Sequence, residues 1–416
     1  MPRVLLLLPT ATYRAPDFVA AAEALGVEVV VGSEHRQAMS RSMEDRALVV
    51  PLADPPAAVE AIVALHRRSP VAAVVAVDDQ GVLVAAMASA ALGLRANPPA
   101  AVAATRDKAA MRGALARGGV PQPDHRVVGP GDDVGAAAAA VGLPCVVKPV
   151  SLSGSSGVIR ADSPAEASAV AARIRGILAA RGADEHGPLL VERFVAGDEV
   201  AVEALLRDGR LEVLATFDKP DPLDGPYFEE TLYVTPSRLP DAALAAVHAA
   251  VSDAARALGL VEGPVHAEVR VDRGTAAVAV LELAARSIGG LCSRALRFGA
   301  GISLEEVLLR HALGLPAPLD REAAAAGVMM LPIPRTGVLD GVDGIEEALA
   351  VPGVVGVEIT VTRGKPVRAL PEGDRYLGFA FARGGSPDEV EAALRAAHDA
   401  LVVRITEDDA GCSSVG

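Results

Sequence analysis

Three short, continuous aliphatic runs, Val4–Leu8, Val27–Val31 and Val71–Val77, alternate with segments of helical character, Pro16–Leu25 and Pro55–Arg67. Apolar runs bounded by turns read as strands, and strands that alternate with helices build a parallel sheet wrapped by helices. Residues 1–97 are therefore expected to form an N-terminal parallel α/β domain, ending with a helix over Gly81–Leu92 and the break Asn97-Pro98-Pro99. Domains run to about 100–200 residues, so a chain of 416 has room for further units.

Composition narrows the function classes. Hydrophobic residues make up 51% and charged residues 22%, the reverse of the balance that keeps a chain disordered. A net charge of −14 argues against general nucleic-acid binding but allows a local basic pocket. Cys145, Cys292 and Cys412 lie far apart and make no CxxC, zinc spacing or disulfide framework, so a reducing, cytoplasmic setting is expected. The apolar run in MPRVLLLLPT is too short for a signal peptide, and no stretch of about 20 apolar residues suggests a membrane span.

Further along, one Ala-rich helix is expected over Ala100–Gly118, then a Pro/Gly connector, a strand at Cys145–Pro149 and another at Val158–Arg160. Ser163–Arg181 reads as a helix, with Ser163-Pro164 at its start and Glu166 in its first turn. Strands at Leu189–Val191 and Glu199–Leu206 flank the turn Val195–Asp198. Residues 217–240, rich in Pro, Gly, Asp and Glu, read as one long functional loop. A helix at Asp241–Leu258, strands at Val265–Val271 and Ala277–Ala285, a helix at Leu304–Leu313 and a linker at Pro316–Asp320 follow. Residues 327–405 then form a smaller α+β unit with a helix at Pro387–Leu401, and 406–416 a flexible polar tail.

Several common fingerprints are absent: no GxxxxGK[ST], no GxGxxG after the first strand, no HExxH and no GxSxG. Three local features carry chemistry instead. Lys148 ends the apolar strand Val146-Val147-Lys148-Pro149, and a lysine held near a core calls for an anion. The loop Ser151–Gly157 follows at once, and its small residues let backbone N–H groups approach an oxyanion. Next, His266, Glu268 and Arg270 alternate with apolar residues on one strand, and Glu282, Ala284 and Arg286 on the next. Glu268 and Glu282 oppose each other only if the connection is about five residues long; opposed carboxylates then call for a cation, and Mg²⁺ suits carboxylates shared with phosphates. Finally, Leu189–Val195 ends in Glu192-Arg193-Phe194-Val195, with Glu199 one turn later, a set able to meet adenine and ribose. Taken singly, a solvated strand end explains that last feature as well.

Order and spacing together resemble the ATP-grasp superfamily of carboxylate–amine ligases. The elements are Lys108 in Thr105-Arg106-Asp107-Lys108, Lys148, the Ser/Gly loop, the Val-Glu-Arg-Phe hinge, and two late glutamates followed by an arginine. Glu282-Leu283-Ala284-Ala285-Arg286 is similar to the Glu-Val-Ala-Ala-Arg of the L-amino-acid ligase (dipeptide synthetase) branch. Many family members carry Asn where this chain has Ala284, so one metal ligand would be water. The resemblance implies an ATP-grasp fold: the N-terminal parallel (Rossmann-like) domain over 1–97, a small α+β grasp subdomain with linker helix over 98–206, a large one with the metal site over 207–315, and a C-terminal α+β domain over 327–405.

The resemblance also implies roles. Lys108 and Lys148 would hold the ATP phosphates under a mobile loop of Ser153, Gly154, Ser155, Ser156 and Gly157. Glu192, Arg193, Phe194 and Val195 would border adenine, and Glu199 the ribose. Glu268 and Glu282 would hold two Mg²⁺ ions, with Mn²⁺ able to replace them, and Arg286 would stabilise the transferring phosphoryl group and the acyl intermediate. Substrate binding is expected at Glu230, Tyr233, Gly289 and Gly290, with Glu230 on an ammonium and Arg286 or Arg294 on a carboxylate. The implied reaction joins an amino-acid carboxylate to an amine, another amino acid, through an acyl phosphate with release of ADP and phosphate. Its partners would be small molecules, not nucleic acid or membrane, and its assembly a homodimer. The competing readings are carboxylation, a purine-pathway ligation and a non-catalytic nucleotide-binding protein. The intact Lys108, Lys148, Glu268, Glu282 and Arg286 argue against the last.

Overall fold

A computed structural model of the chain describes residues 2–9, 12–35 and 46–407. Its N-terminal unit runs β1 (Arg3–Leu7), α1 (Ala15–Ala24), β2 (Glu28–Ser33), β3 (Ala47–Val49), α2 (Pro55–Arg68), β4 (Ala73–Ala76) and α3 (Val82–Leu92). The strands pair in parallel in the order β3-β2-β1-β4, as the alternation of runs and helices requires. Leu5 and Leu7 pack with Ile62 and Leu65 of α2, while Val4 and Leu6 join the core that holds Phe18 of α1. Burial on both faces is why β1 is apolar at successive positions.

Residues 99–117 form two helices, α4 (Pro99–Arg106) and α5 (Lys108–Arg117), where a single helix was expected over Ala100–Gly118. Asp107 makes the break. Its backbone is extended, and its carboxylate accepts the Ala109 and Ala110 N–H groups at 2.9 and 3.0 Å, capping α5. Lys108 therefore opens a new helix instead of lying inside a longer one.

A four-stranded antiparallel sheet follows, built from β5 (His125–Val128), α6 (Val134–Val141), β6 (Cys145–Pro149), β7 (Ile159–Ala161), α7 (Pro164–Ala180) and β8 (Leu189–Arg193). Its order is β5-β8-β6-β7, with α6 and α7 burying Val147, Val191 and Ile174.

The remainder is β9 (Asp198–Arg207), β10 (Arg210–Lys219), β11 (Leu232–Thr235), α8 (Asp241–Leu258), β12 (Gly263–Val271), β13 (Val278–Ala284), α9 (Leu304–Ala312), β14 (Ala325–Leu331), β15 (Gly337–Asp343), α10 (Ile345–Leu349), β16 (Val354–Ile359), β17 (Pro366–Val367), β18 (Gly378–Gly384), α11 (Pro387–Ala400) and β19 (Val402–Thr406). Eight of these strands form one antiparallel sheet, β13-β12-β9-β10-β11-β14-β18-β16, and β17-β15-β19 form a small one.

Two expectations need correction. The boundary drawn after residue 206 cuts the end of β9, whose partners β10 and β12 put it in the large sheet. The loop expected over 217–240 contains the end of β10 and all of β11, leaving a connection of 220–231. The C-terminal unit of 327–405 shares its main sheet with the rest, since β14 pairs with β11 and carries β18 and β16 into the large one. The expected tail lies almost wholly outside the described residues, as does Cys412.

Side-chain alternation divides the large sheet into two faces. Val200, Val202, Ala204 and Leu206 of β9 and Val265, Ala267, Val269 and Val271 of β12 form a core with α5 and α8. Ala201, Leu205, Phe217 and Tyr233 belong to a second core shared with the N-terminal unit and α9. Glu199, Glu203, Lys219, Glu268 and Arg270 have this second parity, so they gather on one face. No described helix is long and apolar enough to cross a membrane.

Candidate active site

Glu268 and Glu282 are paired directly across β12 and β13. The opposition does not come from loop length alone. The link between Val271 and Val278 is six residues, 272–277, and a bulge at Leu281 restores the register. Burial pushes the Glu282 carboxyl up, but Lys108 at 3.3 Å, Lys148 and Arg286 hold it below the usual range. Glu268 goes the other way. Burial and its neighbours Glu230, Glu282 and Glu199 outweigh Lys219, and its carboxyl is pushed up to about 8. A carboxyl kept protonated beside an ionised one suits a hard divalent cation, so these two residues fit Mg²⁺.

The lysines meet this pair from two sides. Lys108 donates to the Leu152 carbonyl at 2.8 Å, and its backbone N–H donates to the Val150 carbonyl at 3.0 Å. It thereby joins the loop after β6 to Glu282. Lys148 lies 2.7 Å from Glu192, whose other oxygen accepts Nε of Arg112. Burial pushes Lys148 down and Glu192 offsets this only in part. Burial would raise Glu192, yet Arg112 and Lys148 hold it down at about 2. Three cations, Lys108, Arg112 and Lys148, thus face two carboxylates, a surplus that favours an anionic ligand.

The Ser/Gly loop divides in two. Ser156 and Gly157 are buried, and both bond the Pro371 carbonyl, by the Ser156 hydroxyl at 3.3 Å and the Gly157 N–H at 3.1 Å. Ser153, Gly154 and Ser155 form the more accessible tip, with Gly154 and Ser155 in left-handed conformations. Only the tip is placed to cover a ligand; the base is an anchor.

At the hinge, the Glu192 carboxylate is committed to Arg112 and Lys148, so contact with adenine through this side chain is not available. Arg193 is exposed, while Phe194 stacks on Phe228 at 6.3 Å with the Arg160 and Arg270 guanidiniums over its ring. Val195 is half-buried beside it. Glu199 is held by Arg270 at 2.9 Å and Lys219 at 2.7 Å.

The carboxylates of Glu199, Glu230 and Glu268 converge within 4.8 Å of one another. The cation among them is Lys219, bonded to Glu199 and Glu230 and 3.6 Å from Glu268. Burial would lower Lys219, but these three glutamates raise it well above its ordinary value. Glu230, expected to be free for an ammonium, is already satisfied: Lys219 and the Tyr233 hydroxyl (2.7 Å) share one oxygen, and Tyr376 reaches the other at 3.3 Å.

Arg286 lies 3.3 Å from Asp79, which follows β4, and also donates to the Ser287 carbonyl at 3.0 Å. Burial would lower its pKa, but Asp79, Glu282 and Asp78 raise it. Arg294 does not join this group. It bonds Asp17 at 2.9 Å and Glu358, so the expected carboxylate contact is not free. Gly289 sits beside the Arg286 guanidinium, and Gly290 is the close neighbour of Phe379.

Sequence reasoning missed Arg112, Lys219, Asp79 and Tyr376. Two signals were present. Asp218-Lys219-Pro220 repeats the Lys-Pro strand ending of Lys148-Pro149, and Arg112 lies four residues after Lys108, on the same helical face.

Comparison with known proteins bears on the domains and the fold. Three family profiles match in order: the ATP-grasp N-terminal domain over 19–95, the ATP-grasp domain over 141–295, and L-amino acid ligase C-terminal domain 2 over 329–406. An uncharacterised protein of Sinorhizobium fredii is 29% identical over 297 residues, 71% of this chain and 60% of that one. An alanine–anticapsin ligase of Bacillus subtilis is 29% identical over 234 residues, 52% of this chain and 49% of that one. The chain therefore spans about half to three-fifths of these relatives. An L-amino acid ligase structure from Bacillus licheniformis superposes with a TM-score of 0.82 at 25% identity, covering 98% of this chain and 99% of that one. A carboxyaminoimidazole ribonucleotide synthase of Aspergillus clavatus, complexed with ATP, shares the fold at a TM-score of 0.73 and 17% identity over 96% and 98% of the two chains. The chain thus carries, in order, the domains of the ATP-grasp fold, and its C-terminal domain is similar to that of the L-amino acid ligases.

Proposed function

We propose that the chain is an ATP-dependent ligase that joins the carboxylate of one amino acid to the amine of another, releasing ADP and phosphate. The observation that carries this reading is the convergence of Glu268, Glu282, Lys108, Lys148 and Arg286 on one side of the large sheet.

A carboxylate is a poor electrophile, and transfer of a γ-phosphoryl group turns it into an acyl phosphate with a good leaving group. Glu268 and Glu282 would hold Mg²⁺, which when bound neutralises charge on the triphosphate. Lys108 and Lys148 hold phosphate oxygens and keep the phosphoryl group in line with the acid. Arg286, fixed by Asp79, stabilises charge on the transferring group and on the oxyanion formed when the amine attacks. The tip Ser153–Ser155 excludes water from the acyl phosphate. Glu230, with Tyr233 and Tyr376, recognises the substrate ammonium by exchange with Lys219.

The test is a phosphate-release screen over pairs of amino acids with mass detection of products. ADP and phosphate that appear only with both partners, together with a dipeptide mass, support the reading. AMP and pyrophosphate, or bicarbonate dependence, refute it.

A further inference from the structure

We propose that Arg112 is a positioning residue for the carboxylate pair: its guanidinium holds the bulge at Leu281 that turns Glu282 toward Glu268. The inference rests on the reading that this pair binds a divalent cation with the nucleotide.

Arg112 lies on α5, one turn after Lys108, and is fully buried. A guanidinium keeps its charge when buried and needs acceptors for its N–H groups. Nε donates to Glu192, Nη1 to the Val280 carbonyl at 3.0 Å and Nη2 to the Leu281 carbonyl at 2.6 Å.

Those last two acceptors are consecutive residues of one strand. In an unbroken strand, successive carbonyls point to opposite edges. Val280 faces the outer edge, since its N–H donates to the Pro121 carbonyl at 2.9 Å and its own carbonyl meets Arg112. The Leu281 carbonyl should then turn inward to β12, yet it meets the same guanidinium. It does so because Leu281 is the extra residue of the bulge, with Val269 paired to Val280 and Glu268 to Glu282.

The bulge changes which face β13 presents. Val280 and Leu283, three residues apart, both lie in the core with α5 and α8. In a regular ladder Glu282 would share the parity of Val278 and Val280 and point into that apolar core. The bulge brings it out opposite Glu268. Because β13 is the last strand of the sheet, no further strand can bind its outer carbonyls. A forked, planar guanidinium binds two at once, which an ammonium cannot do in the same geometry. The same group fixes Glu192 and through it Lys148, so one buried arginine braces both the phosphate lysine and the carboxylate pair.

The experiment measures binding, not turnover. Mn²⁺ is titrated by electron paramagnetic resonance into protein saturated with ADP, and ADP affinity is measured separately in EDTA. Arg112→Lys keeps a charge for Glu192 but loses the grip on both carbonyls. It is expected to weaken Mn²⁺ by about tenfold or more while ADP affinity in EDTA stays within about twofold. Wild-type Mn²⁺ affinity in folded Arg112→Lys overturns the proposal, and so does an equal loss of both affinities, which marks a general structural defect. If Arg112→Lys does not fold, Arg112→Ala is assayed with methylguanidinium or methylammonium added. Recovery of Mn²⁺ binding with methylguanidinium alone supports the proposal; no recovery, or equal recovery with both, overturns it. Wild-type protein that binds no Mn²⁺ with ADP removes the underlying metal site instead, an outcome the first titration distinguishes.

Discussion

Glu268 and Glu282 stand opposite each other on neighbouring strands, yet only Glu282 has a lysine to itself. Lys219, 3.6 Å from Glu268, is already bonded to Glu199 and Glu230. The metal-free protein therefore keeps a proton on Glu268 from its ordinary value of 4.5 up to about 8. In that window the folded state binds more protons than the unfolded one, so stability falls as pH rises. The melting temperature of metal-free protein should fall between about pH 5 and about pH 8, and Glu268→Gln should flatten the slope. Cation binding needs the ionised form, so Mn²⁺ affinity in the presence of ADP should rise toward about pH 8, with proton release below it. An affinity independent of pH below 8 would contradict this assignment.

Arg286 reaches the site from two residues past β13 and is paired with Asp79 of the N-terminal unit. Arg286→Ala should lower turnover by about 100-fold or more, the scale for losing a group aimed at developing charge. The ion pair is partly exposed, so the fold should lose no more than about 1 kcal/mol. Asp79→Asn should act in the same direction more weakly, because Arg286 keeps the Ser287 carbonyl. Steady-state kinetics with thermal melting of both variants checks this, and unchanged turnover in Arg286→Ala would remove the residue from the mechanism.

The elements that were legible in the sequence are those whose signal is local. Alternation placed Glu268 on the polar face of its strand, and the Lys-Pro ending and Ser/Gly run placed Lys148 beside a loop of small residues. What sequence could not supply was pairing across long separations. That β11 pairs with β14, some ninety residues on, has no local signature, so the shared sheet that joins 327–405 to the rest did not show. The bulge at Leu281 was invisible for the same reason, since it exists only relative to β12 and Arg112. Side-chain commitment was equally hidden. Glu192 and Arg294 have the right chemistry for ligands, but their partners Arg112 and Glu358 come from distant segments, while Lys219 meets Glu230 across the fold of the connection 220–231.

Gly290 has a left-handed backbone with φ of 61°, and a Cβ there would lie 2.8 Å from the Phe379 ring. Phe379 is fully buried and packed edge-on by Tyr13 and Tyr376. Gly290→Ala should therefore cost about 2–4 kcal/mol, from backbone strain and overpacking together. Moving Phe379 also disturbs Tyr376, whose hydroxyl meets Glu230. Denaturant melts should show the loss, and kinetics a higher KM for the acid substrate than for ATP. A variant as stable as the wild type would mean that Phe379 has room to retreat.

The segment Pro371–Tyr376 touches both the phosphate loop and the substrate residues. Pro371 accepts from Ser156 and Gly157, Glu372 pairs with Arg173 at 2.8 Å, and Arg181 donates to the Glu372 and Gly373 carbonyls at 2.8 and 2.9 Å. Five residues beyond Pro371, Tyr376 reaches Glu230. The base of the loop is thus tied through one short stretch of chain to the group expected to read the substrate. Arg181→Ala removes two of these bonds on the small-sheet side without touching the carboxylates or lysines. Its partners are backbone carbonyls at a half-buried position, so stability should change by only about 1 kcal/mol. The looser loop should admit water to the acyl phosphate. Phosphate release should then exceed product formation, most clearly at low concentration of the amine, where attack is slowest. The check is the ratio of phosphate to dipeptide measured in one reaction. A ratio equal to that of the wild type, with turnover reduced, would assign Arg181 to stability alone and leave closure to the tip residues Ser153–Ser155.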